Sequence, residues 1–137
     1  MSGVKLLVIY PHPKDIEVFE KLYQEEHVPM AVDKLAGKTK FIATKVLVTP
    51  DGTPPPFYRI AEVFFPSLEA LQAWAQSAGG KETVAHAVKI SSGGAPIFLV
   101  AEEQTFMFGS GAERFPAAFL HAMNGQIPSV GTQPAMP

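Results

Sequence analysis

The chain has no cysteine, which removes a thiolate nucleophile, a disulfide framework and any cysteine-ligated zinc from consideration. Charge is scarce as well: charged residues are 18% of the 137, and 11 basic against 13 acidic side chains leave a net charge of −2. The lysines and arginines are scattered, so there is no basic stripe to neutralise a phosphate backbone. No uninterrupted apolar run approaches the roughly 18 residues of a membrane-spanning helix. Met1 leads directly into an apolar strand, without the basic segment and small-residue cleavage site of a secretory signal. Together these features predict a cytoplasmic protein with no nucleic-acid partner and no membrane span.

Cofactor signals are missing too. There is no Gly-x-Gly-x-x-Gly and no phosphate-binding lysine loop, so no nucleotide, flavin or nicotinamide is expected. His12, His27, His86 and His121 show neither His-x-His nor His-x-x-x-His spacing, and no metal is expected. Ser91-Ser92 lacks the sharp turn and readable base of a nucleophilic serine.

What is present fits one α+β domain followed by an extension. Val4 to Tyr10 reads as a strand stopped by Pro11-His12-Pro13. Asp15 can cap a helix in which Ile16, Phe19, Tyr23 and His27 share an arc of roughly 80°. Pro29 predicts a break or bend in that helix near His27. Lys40 to Thr49 and Phe57 to Phe65 read as strands joined by a proline-rich loop. Ser67 is a candidate cap for a helix carrying Leu68, Leu71, Trp74, Ala75 and Ala78 and ending at Gly79-Gly80. Lys81 to Ile90 is a short helical candidate, Ser91-Ser92-Gly93-Gly94 breaks it, and Ala95 to Glu102 supplies a fourth strand.

The order strand, helix, strand, strand, helix, strand is the ferredoxin-like βαββαβ plan, with an antiparallel sheet covered by helices on one face. Residues 1–105 form this domain in the sequence reading. Residues 106–137 are a Gly- and Pro-rich extension, with a short helical candidate around Phe115, Phe119, Leu120 and Met123 that docks on the core or on a partner subunit. The strands are apolar on both sides: Leu6 and Val8 against Leu7 and Ile9, Phe98 and Val100 against Ile97 and Leu99. Two helices cover one face only. A second copy of the sheet is the simplest cover for the other, which predicts a homodimer through sheet faces.

Several side chains are candidates for a site. His27 lies on the buried stripe and titrates near neutrality, which suits proton transfer; its structural alternative is a core histidine bonded to backbone. His86, sharing a side with Thr83 and Ile90, is a second candidate against a plain surface histidine. Glu62, among apolar neighbours, is either a base in the pocket or half of an ion pair with Lys45 or another basic residue. Tyr10, Tyr23, Tyr58 and Trp74 suit an aromatic ligand pocket with hydroxyl groups, or ordinary core packing. Arg59 alternates away from Tyr58, and a salt bridge is its favoured role.

The segment Phe19, Tyr23, His27-Val28-Pro29-Met30-Ala31 resembles the EthD family, small dimeric α+β barrel proteins named for ethyl tert-butyl ether degradation. Phe57-Tyr58-Arg59-Ile60-Ala61-Glu62-Val63-Phe64-Phe65, Ser67-Leu68-Glu69-Ala70-Leu71 and Ser92-Gly93-Gly94 follow in the family's order, and the likeness spans roughly residues 3 to 104. It implies a small-molecule pocket between helices and sheet, with His27 as a proton-transfer group in isomerase- or cyclase-type chemistry or in an accessory role in oxidative degradation of a small organic compound. The alternatives are a non-catalytic binding protein for a hydrophobic intermediate and, below it, a haem-handling protein. One departure stands out: His86 occupies the place where the family typically has an Asp.

Overall fold

The computed structural model describes residues 3–108. The described residues fall into two units, 3–46 with 56–104, and 47–55 with 105–108. In the second unit the Thr49 hydroxyl bonds Asp51 Oδ1 at 2.8 Å and Thr53 O at 2.7 Å, which ties the loop into a turn. The short helix expected around Phe115 to Met123 lies outside the described residues. All that follows concerns the first unit.

Strand β1 (Gly3–Pro11) buries Leu6, Val8 and Tyr10 on one side, as the period of two dictates. Helix α1 (Ile16–Leu22) starts where the Asp15 carboxylate accepts the Val18 N–H at 3.1 Å. The break or bend expected near His27 takes the form of an irregular turn and not of a helix end. A π-helical turn (Tyr23–His27) widens the helix, and α2 (Val28–Lys34) continues from it, Val28 N–H donating to the Tyr23 carbonyl five residues back. Pro29 sits in the first turn of α2, where a missing N–H costs little.

The buried residues explain the widening. Phe19, Tyr23, His27, Ala31 and Leu35 are all buried at a strict stride of four. In a regular helix each such stride drifts about 40°, so the stripe leaves the core within a few turns. A π turn absorbs the drift and keeps all five on the sheet. Ile16, expected on the stripe, is 44% exposed because it precedes the turn and has drifted off it.

Strand β2 (Lys40–Lys45) is shorter than the expected Lys40 to Thr49; its ladder ends where Val46 N–H donates to Tyr58 O at 2.8 Å. Strand β3 (Phe57–Phe65) is followed by α3 (Leu68–Gln76), capped by the Ser67 hydroxyl accepting from Ala70 N–H at 3.1 Å. Ser77 then ends α3 and caps α4 (Ala78–Ile90), its hydroxyl donating to Trp74 O at 2.6 Å and accepting from Gly80 N–H at 3.0 Å. Gly79-Gly80 therefore opens a helix instead of closing one. The pair serves packing: a Cβ on Gly80 would fall 1.9 Å from the Trp74 carbonyl oxygen. Strand β4 (Ile97–Glu103) completes the sheet.

All three ladders are antiparallel and the strand order is β2-β3-β1-β4, the ferredoxin-like α+β fold. The helices cover one face. On the other, Thr44, Ile60, Ile9 and Ile97 align in one row, Ile42, Glu62, Leu7 and Leu99 in the next, and Lys40, Phe64, Lys5 and Ala101 in a third. Among the described residues no helix is long and apolar enough to cross a membrane.

Candidate functional site

The π turn and α4 bring His27 and His86 together. Their rings lie nearly parallel, with an interplanar angle of 7° and centroids 5.2 Å apart, and meet edge to edge through the two Nδ1 atoms, 2.9 Å from each other. His27 is buried. Its Nε2 lies 3.3 Å from the Tyr10 hydroxyl oxygen, and Tyr23 stacks on its ring at 5.7 Å. His86 Nε2 points the other way, 3.4 Å from Glu26 Oε1, and that carboxylate is 57% exposed. A continuous polar path thus runs from a buried phenol through two imidazoles to a solvated carboxylate.

Burial, and then the adjacent His86 imidazole, hold His27 down at about 4 from an ordinary value near 6.5. At neutral pH the ring is uncharged. Burial likewise pushes the Tyr10 hydroxyl far above its ordinary range and Tyr23 up to about 12, so both are neutral phenols. The Tyr23 hydroxyl is buried and has no hydrogen-bond partner among the described residues, a cost of about 1–3 kcal/mol unless a ligand or water meets it.

His27 borders mainly apolar space. His27 helps to line a narrow cavity of about 20 Å³, room for one water molecule, among Leu6, Val8, Ala61, Trp74 and Phe98. Leu6, Trp74, Val84 and Phe98 also line an open groove of about 460 Å³ between α3, α4 and the edge strand β4, with Lys81 as a charged wall residue. Trp74 is fixed there by its indole N–H donating to Lys34 O at 3.2 Å and by Phe65 at 5.7 Å.

The remaining predicted residues fall elsewhere. Glu62 lies on the opposite face of the sheet from His27 and pairs with Lys5 at 3.5 Å, so it is not a base in this cavity. Strict alternation would put Tyr58 on the Glu62 face, but a register shift between Tyr10 and Pro11 leaves Tyr58 without a partner in β1. Tyr58 packs edge-on against Phe19 of α1 at 5.7 Å, on the same side as Arg59. Arg59 donates to both oxygens of Glu20, at 2.7 and 3.0 Å, and lies over the Tyr23 ring at 4.8 Å. That bidentate pairing, led by the Arg59 hydrogen bond, holds the Glu20 carboxyl below its ordinary value.

Glu26 went unnoticed in the sequence because the residue beside a stripe histidine in a regular helix points away from that histidine's partners. Among the described residues no group of three or more His, Asp or Glu side chains is arranged to hold a metal ion.

Fold and site together define a ferredoxin-like α+β protein in which a buried histidine at the wall of a mainly apolar cavity is joined to a second, partly exposed histidine. The family model of the EthD domain matches residues 12–90, and the chain belongs to this family. It is 34% identical over 100 residues to an uncharacterised 11.0 kDa protein of Rhodococcus erythropolis from the thcB-thcC intergenic region, across 72% of this chain and 94% of that one. An ethyl tert-butyl ether degradation (EthD) family protein of Bacillus halodurans superposes with a TM-score of 0.69 and 27% identity, over 74% of this chain and 99% of its own. A dimeric ferredoxin-like protein of unknown function from Jannaschia superposes with a TM-score of 0.53 at 15% identity, over 75% and 100% of the two chains, and shares the fold.

Proposed function

We propose that the protein binds a small, mainly apolar organic molecule carrying oxygen in the groove beside Trp74 and Phe98, and that His27, backed by His86, moves a proton to or from it. The observation that carries this reading is the Nδ1–Nδ1 contact of 2.9 Å between His86 and His27, the latter lining a mainly apolar cavity. A buried polar pair has a desolvation cost that core packing gives no reason to retain, and neutral imidazole is suited to enolisation, isomerisation or cyclisation. Family membership and the EthD family protein of Bacillus halodurans support a small-molecule-binding or accessory role in general terms. We further infer that the working unit is a homodimer closed through the open sheet face, because Leu7, Ile9, Ile60 and Leu99 lie there without cover from their own helices.

The test uses enolisable aryl ketones and phenols. Chemical-shift changes at the Trp74 indole report binding. Deuterium uptake from D2O at the carbon next to the ketone reports proton transfer, and His27→Ala is expected to lower that uptake at least tenfold while binding persists. Uptake no faster than buffer with the intact protein would sink the catalytic reading.

A second reading has its own observation. Both ring nitrogens of His27 already have protein partners, Tyr10 and His86, which fits a binding protein that shelters an intermediate for a separate enzyme. That reading predicts saturable binding, no deuterium uptake, and equal affinity in His27→Ala and wild type.

A further inference from the structure

The hydrogen-bond path through the histidine pair has a direction. A neutral imidazole carries one N–H and one lone pair, so where two Nδ1 atoms meet at 2.9 Å one ring donates and the other accepts. Glu26, when ionised, only accepts. If His86 presents Nε2–H to Glu26, its Nδ1 must be the lone pair; His27 then donates from Nδ1 and keeps its lone pair on Nε2, where the Tyr10 hydroxyl can donate. Every contact is satisfied. The reverse arrangement aims the His86 Nε2 lone pair at a carboxylate 3.4 Å away, two acceptors with no proton between them.

We propose that Glu26 is a positioning residue that sets the tautomers of both histidines, leaving Nε2 of His27 as the proton-accepting end of a relay whose charge comes to rest on His86 beside Glu26. This deepens the proton-transfer reading and rests on it for its purpose. The step balances once a ligand displaces the Tyr10 hydroxyl from His27 Nε2: the ligand proton bonds to Nε2 as the His27 Nδ1 proton passes to His86 Nδ1. The ligand is left as an anion, His27 is neutral with its tautomer switched, and His86 is an imidazolium paired with Glu26.

The surroundings favour this placement of charge. His27 is faced by Tyr10 from β1, Tyr23 from its own helix and His86 from α4, none of them anionic in the resting state. The carboxylate is at the outer histidine. The low basicity imposed on His27 by burial fits a ring that passes a proton on. The π turn makes the arrangement available, since it lets the consecutive residues Glu26 and His27 both reach His86.

The test needs no ligand. In ring-15N-labelled protein at neutral pH, protonated and unprotonated imidazole nitrogens give separate resonances. Expected for wild type is His27 protonated at Nδ1 and His86 at Nε2. Glu26→Leu should lower the His27 ratio of Nδ1–H to Nε2–H forms at least tenfold, Glu26→Lys should invert it, and Glu26→Gln, still an acceptor, should largely restore it. The Trp74 indole resonance checks that each variant is folded. A wild-type His27 protonated at Nε2, or a ratio unmoved by Glu26→Leu, would overturn the proposal. Correct tautomers with no deuterium uptake would sink the catalytic reading instead, so the two failures are distinguishable.

Discussion

The two faces of the sheet bury different chemistry for different ends. The helix-covered face holds Tyr10, Tyr23, His27 and Arg59 at 6% exposure or less, each polar group but the Tyr23 hydroxyl bonded to a named partner. The open face carries Ile42, Ile97 and Leu99 at 36 to 46% exposure, and its charges, Lys5 with Glu62 and Glu103, gather toward one end. Enclosed polarity that is almost fully partnered fits a site or a specificity device; exposed apolar surface fits an interface. In the proposed reading, sealing one face and opening the other lets one thin sheet serve both roles.

The contrast breaks most severely at Trp74. Trp74→Ala removes a side chain 3% exposed that lines both the cavity and the groove, and it orphans the Lys34 carbonyl. A loss of about 3–5 kcal/mol is expected in urea unfolding. A loss under about 1 kcal/mol would mean that the groove wall collapses freely and that Trp74 is no pillar of the pocket.

Acid should unsettle the same face next. The folded-state value for His27 lies near 4, below its ordinary 6.5, so as pH falls the unfolded chain takes up that proton first. The His27 contribution is therefore complete above about pH 6.5 and disappears on the way down to about 4, on the order of 3 kcal/mol at most. His27→Gln should flatten that part of the stability profile. Comparing urea midpoints of the two proteins across this range checks it, and parallel profiles would show that His27 is not held neutral.

The Arg59–Glu20 pair comes third. Glu20→Ala leaves a guanidinium buried without its carboxylate, and because the Glu20 side chain retains 24% exposure the expected cost is about 2 kcal/mol, less than for a fully enclosed pair. Arg59→Met, which removes charge while keeping volume, should cost less than Glu20→Ala by the same denaturation. The opposite order would show that the arginine packs rather than pairs.

Much of this was legible before any coordinates, for identifiable reasons. Asp15 and Ser67 capped helices where their side chains and the following apolar periodicity said they should. The βαββαβ order followed from strand and helix periods alone. The stride of four from Phe19 to Leu35 was equally present in the sequence, yet Pro29 argued for a break, and only the π turn reconciles them. Strict alternation placed Tyr58 with Glu62 and apart from Arg59; the register shift at Pro11 undid that, since a ladder irregularity has no sequence period. His86 drew notice as a departure from the family's Asp. Glu26 drew none, because an exposed carboxylate on a helix is the commonest of solvated residues and its meaning depends on the turn being widened.

The smallest effect on folding should come from the open face, where it decides association. Leu99 is 46% exposed, level with Leu7 and near the centre of the apolar rows. Leu99→Glu removes little buried surface from its own chain, so folding of the single chain should shift by less than about 1 kcal/mol. In a two-fold interface, however, one substitution acts on both copies and brings carboxylates into an apolar contact that offers Leu7, Ile9 and Ile60 as neighbours. Sedimentation at micromolar concentration should therefore find a dimer for wild type and a monomer for Leu99→Glu, with the acid profile of His27 unchanged between them. A wild-type monomer would remove the interface role from this face, and the open rows would then need another cover. Wild type and variant both dimeric would move the contact to the edges of the sheet, leaving the comparison between faces to rest on the histidine side alone.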